Sequence, residues 1–178
     1  MKIPVFKIFK NSKRATIIVA IAAVVVVVGG ASAYAAHSNA LPGSSLYPLK
    51  RVWEEASLLT SFSPASKAQT QVSIAQDRVK AAQTVVSQTP AATNSTAVVP
   101  ALQQAQQNLQ KALDNTSKVT DTTTRKAINK SISDTATEVE KQAETESESE
   151  SASSSDKQAL KDTSNQAQQV QTQASTDD

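Results

Sequence analysis

Apolar positions are spaced in two different ways along this chain. TIIVAIAAVVVVVGGASAYAA (Thr16–Ala36) is apolar all round and carries no charged residue. At about 1.5 Å rise per residue the run reaches roughly 31 Å, close to the hydrocarbon core of a bilayer. It predicts a transmembrane helix over residues 15–36. Beyond residue 45 the apolar residues instead recur every third or fourth position, which gathers them on one face of a helix.

Four such segments follow one another. Leu46, Leu49, Val52 or Trp53, Ala56 and Leu59 predict a short helix, capped by Ser44 or Ser45, with Pro48 in its first turn. Ser63-Pro64 restarts the pattern as cap and first helical residue. Ala65, Ala68, Val72, Ala75, Val79, Ala82 and Val86 then alternate steps of three and four, a heptad seam. Two prolines, Pro90 and Pro100, predict a break over residues 87–100. Val98, Leu102, Ala105, Leu109, Ala112 and Val119 resume the rhythm, with Thr116 in the expected slot. Thr123–Ala143 offers Ile128, Ile132, Ala136, Val139 and Ala143. Short connections make these antiparallel neighbours.

TESESESASSSD (Thr145–Asp156) has no apolar period and predicts a solvated linker. Residues 157–174 carry only a faint stripe, Leu160, Ala167, Val170 and Ala174, and are expected to be disordered or marginally helical. The fold class is therefore all-α: an N-terminal transmembrane helix, a small antiparallel helical bundle or hairpin, and a disordered C-terminal tail. The expected units are a basic segment (1–14), the membrane helix or a signal peptide (15–36), a spacer (37–45), the bundle (46–143) and a low-complexity Ser/Glu/Gln-rich tail (144–178).

Charge distribution sharpens the N-terminal reading. Five of the 18 basic residues lie in the first fourteen positions, leaving 13 against 16 acidic groups in the rest of the 178-residue chain. A mildly acidic body does not suit nucleic acid. The basic head suits the positive-inside rule, with residues 1–14 in the cytoplasm and the body outside it. Ala31-Ser32-Ala33 and Ala33-Tyr34-Ala35 also fit a signal-peptidase pattern, so cleavage near Ala33 or Ala35 would secrete the body.

The inventory of chemical groups is sparse. There is no cysteine and one histidine, His37, which lies in the spacer without metal-ligating partners. Glu54 and Glu55 are adjacent and diverge by about 100° on a helix, poor geometry for paired carboxylates. Glu144, Glu146, Glu148 and Glu150 read as a solvated charge run. No catalytic residue, metal site or cofactor is expected.

The stretch LPGSSLYPLKRVWEEASLLTSFSPASKAQ, followed by VSIAQDRVKAAQ, resembles a bacterial extracytoplasmic family of unknown function, DUF family 5667. The resemblance rests on Leu41, Pro42, Gly43, Leu46, Tyr47, Pro48, Lys50, Arg51, Phe62, Pro64, Lys67, Ala75, Arg78 and Val79. It implies an exported or membrane-anchored helical domain without an assigned activity. Some members resemble anti-sigma regulators with a cytoplasmic domain before the anchor, but fourteen residues are too few to fold one here.

The expected function is a non-enzymatic binding or sensing module, anchored by Thr16–Ala36. It would meet a second copy or an envelope partner through the helical seams. The alternative is a structural spacer whose tail engages the cell wall. Tyr47, Pro48, Leu49, Lys50, Arg51, Trp53, Phe62 and Arg78 are the candidate structural or interaction residues. Trp53, Tyr47, Leu49 and Phe62 are expected to form a hydrophobic lid on the bundle.

Overall fold

The computed structural model describes Ser44 and residues 47–88 and 91–176. The expected transmembrane helix, its basic flank and all of the spacer except Ser44 lie outside the described residues. Among the described residues no helix is long and apolar enough to cross a membrane.

The described chain is all-α. Its helices are α1 (Tyr47–Leu59), α2 (Pro64–Gln88), α3 (Ala91–Thr116), α4 (Thr122–Ser147) and α5 (Ser154–Thr176). Local chemistry sets several of the boundaries. Ser63 caps α2, its Oγ accepting the Ser66 N–H at 3.1 Å, and Pro64 occupies the first helical position, where a missing N–H costs nothing. Asp121 caps α4, accepting the Thr124 N–H at 2.7 Å. Hydrogen bonding to Thr124 is the largest influence on that carboxyl and holds it below the usual range.

The heptad seams become the core. Ala68, Val72, Ala75, Val79 and Ala82 of α2 are buried with Val98, Leu102, Ala105, Leu109 and Ala112 of α3. Val119 and, on α4, Ile128, Ile132, Ala136, Val139 and Ala143 join them, while Ala65 and Val86, also predicted, pack against this core partly buried. Alanine-rich seams let helices approach closely, which compensates for the scarcity of large side chains. α2 lies along α3, and α5 along α4. The two hairpins meet through α4 against α2 and α3, and through α5 against α3; among the described residues α2 and α5 are not neighbours. Polar bonds fix the register: Asn115 Nδ2 donates to Gln71 Oε1 at 3.0 Å, and Gln171 Nε2 to Thr137 Oγ1 at 2.9 Å.

Three expectations need correction. The tail is not disordered: α4 runs on to Ser147, the linker shrinks to a turn, and α5 buries Leu160, Thr163, Ser164, Ala167, Val170 and Ala174. The faint stripe suffices because Thr163 and Ser164 fill core-facing slots, donating their hydroxyls to Ala159 O at 2.7 Å and to Glu144 Oε1 at 3.4 Å. The bundle therefore reaches residue 176 instead of stopping at 143. Second, Pro100 does not break the chain but lies inside α3. A proline in a helix interior costs about 3 kcal/mol. Val98, Val99, Ala101 and Leu102 around it are all buried, and that burial offsets the loss. Third, the aromatic lid does not form, because α1 docks by its polar side.

Candidate interaction site at the first helix

The sequence of α1 holds two stripes. Leu49, Val52, Ala56 and Leu59 form the apolar one. Tyr47, Lys50, Glu54 and Ser57, followed at the same step by Ser61 just past the helix end, recur at steps of three and four and form a polar one on the opposite side. A surface helix ordinarily turns its apolar side to the core. Here the polar stripe is inward: Lys50 and Ser61 are buried and Tyr47, Glu54 and Ser57 partly so.

The reason is a set of charges waiting on α2. Arg78 is 2% exposed, at the centre of a second buried row on α2 (Gln71, Ile74, Arg78, Ala81). Its Nη2 is paired with Glu54 Oε2, and its guanidinium carbon stands 4.8 Å from the centroid of the Tyr47 ring, a cation–π geometry. Lys50 Nζ lies 3.6 Å from Asp77 Oδ2. Tyr47 in turn donates its hydroxyl to Gln104 Oε1 of α3 at 2.8 Å. One helix is thus tied to two others by two ion pairs, a ring contact and a hydrogen bond. An unpaired buried guanidinium would cost several kcal/mol, so Arg78 makes a carboxylate on α1 obligatory.

Burial has the largest influence on Glu54 and raises its carboxyl above the usual range; Arg78 and then Lys50 pull it back only part of the way, while Asp77 pushes it up. Glu54 Oε1 and the Nε and Nη1 of Arg78 have no hydrogen-bond partner among the described residues.

The apolar side of α1 faces outward. Leu49 is 38%, Val52 54%, Trp53 41% and Leu59 81% exposed, and Phe62 beyond the helix is 92% exposed. Trp53 sits at the edge of this face, where it lines a cleft with Lys50, Ser57, Thr70, Ser73 and Asp77. The hydrophobic lid is therefore corrected: of its four members only Tyr47 joins the interior, through its hydroxyl and its face. Pro48 and Arg51 are exposed.

Of the eight residues singled out from sequence, the structure brings Tyr47, Lys50 and Arg78 into one cluster. Glu54, Asp77 and Gln104 complete it and escape the sequence reading. The polar heptad on α1 is the available signal; the apolar stripe beside it masks it. Among the described residues no three His, Cys, Asp or Glu side chains could hold a metal ion together.

Fold and site define a class: an all-α domain of two packed hairpins, with a leading helix docked by charge. The profile of the family described as Domain of unknown function (DUF5667) matches residues 39–177, and the chain belongs to that family. The match includes α5, so the C-terminal helix is part of the family domain. No curated protein and no solved structure matches the chain.

Proposed function

We propose that this protein is a membrane-anchored, extracytoplasmic helical module that serves interaction and not catalysis. The observation that carries the proposal is the charge clamp on α1. The helix that follows the apolar run most closely is fastened to α2 and α3 by Glu54–Arg78, Lys50–Asp77 and Tyr47–Gln104. Such a clamp makes that helix and the bundle one unit. The apolar run, the basic residues before it and the acidic body after it support export of the body.

The Ala/Val seams are used within the chain, so a partner would meet the outer faces of the bundle. These are rich in Gln, Ser and Thr. The wall-binding spacer needs a free tail, and α5 is packed into the bundle, so that reading is not carried further.

Topology reporters test the proposal. Alkaline phosphatase fused after Asp178 should be active and co-sediment with membranes, whereas a fused cytoplasmic fluorescent protein should stay dark. The opposite pattern would refute export.

A further inference from the structure

We propose that the outward face of α1 lies on the surface of the lipid bilayer, so that the bundle rests against the membrane and does not hang free from a tether. The inference rests on the anchored reading above and adds a contact that anchoring alone does not require.

Three observations carry it. The first is the inversion of α1: its charges hold it to the bundle, and Leu49, Val52 and Leu59 are left to solvent on one side, with Phe62 exposed just beyond the helix. A contiguous apolar face of this kind marks a surface that is covered in use. The second is distance. Ten residues separate Ala36, the end of the apolar run, from Tyr47, the start of α1. Fully extended they span about 35 Å at most, so α1 cannot leave the neighbourhood of the membrane. The third is composition. The face carries aliphatic side chains with Trp53 at its margin, and Trp is the residue most at home where hydrocarbon meets headgroup. An amphipathic helix lying in the interface buries its apolar side at that depth.

A second copy of the chain is the rival occupant, but α1 has 13 residues. A helix about 20 Å long and about 10 Å wide offers a face of a few hundred Å², short of the ~800 Å² per partner in a stable dimer.

The chain itself supplies the probes. It has one tryptophan and no cysteine, so Trp53 reports alone and single cysteines can be labelled without interference. The full chain is reconstituted in vesicles of phosphatidylcholine and phosphatidylglycerol. Flotation comes first. Nitroxides are then placed at Val52→Cys and Leu59→Cys, with Glu138→Cys on the exposed side of α4 as the aqueous control. Accessibility to oxygen and to a water-soluble nickel chelate is measured at each.

The expected result is high oxygen and low nickel accessibility at 52 and 59, the reverse at 138, and loss of Trp53 emission when the acyl chains carry bromine. A chain that floats but shows 52 and 59 as aqueous as 138 overturns the surface contact while leaving the anchor intact. Shielding of 52 and 59 from both reagents, with spin–spin broadening that fades on dilution with unlabelled chain, overturns it in favour of a second copy. A chain that does not float overturns both this inference and the anchored reading. Helical circular dichroism equal to that of the unsubstituted chain establishes that each variant has folded.

Discussion

Leu160 provides the sharpest test of the C-terminal helix. It is 1% exposed, and with Val170 it is one of only two large apolar side chains on the buried face of α5, the rest being Ala, Thr and Ser. Leu160→Ala removes three carbons from a buried site in a core made largely of Ala and Val. The cavity can close only if whole helices shift, which places the loss in the upper part of the range for such substitutions, about 3–4 kcal/mol. For a folded body of this size that corresponds to a fall of about 12 °C in Tm. The assay is thermal unfolding of the full chain in detergent micelles by circular dichroism, with Gln169→Ala on the exposed side of α5 as control. If Leu160→Ala melts with the control, α5 is not part of the cooperative unit and the tail is free, as the composition of residues 145–156 suggests.

Two further predictions concern α1. Trp53→Ala should cost about 1 kcal/mol, well below the ~3–5 of a buried aromatic, because the ring is 41% exposed; a loss of 3 kcal/mol or more in urea unfolding would restore the lid. Glu54 gives a pH test. Folding raises its pKa, so the folded state holds the proton more tightly, and the stability this contributes is complete below the ordinary carboxylate range and lost as pH rises through the raised value. Glu54→Gln removes that dependence, so over the window that opens at the ordinary carboxylate range and extends upward, the stability difference should move in the variant's favour as pH rises. A constant difference across that window would show that the carboxyl is not desolvated. Asp121, whose pKa is lowered, works in the opposite sense: its contribution is present above the ordinary aspartate range and fades as pH falls.

Most of the fold is legible in the sequence because one rule governs it. Steps of three and four place the seam residues from Ala68 to Ala143 in the core or, for Val86, partly buried against it, and Ser63-Pro64 marks a helix start that depends only on neighbours. The failures share a cause as well. α5, the run around Pro100 and the docking of α1 are all decided by what lies across from them, not by local preference. Thr163 and Ser164 look like surface residues until Ala159 and Glu144 accept their hydroxyls. The face of α1 that turns inward is decided by Arg78, twenty-four positions from Glu54. The apolar stripe on α1 is a true stripe on the side away from the core, because the pull of a buried guanidinium on a carboxylate outweighs the few apolar side chains on a short helix.

The docking of α1 depends on that pairing, and a double-mutant cycle on Glu54 and Arg78 measures it most directly. Trp53, the one tryptophan, sits on α1 and reports its docking during urea unfolding. Glu54→Leu should cost about 3–5 kcal/mol by leaving Arg78 buried and unpaired, and Arg78→Met in the same chain should recover most of that loss. Additive losses from the two substitutions would mean that the charges do not hold α1 to the bundle, and that the Glu54–Arg78 pair is not what turns its apolar face outward.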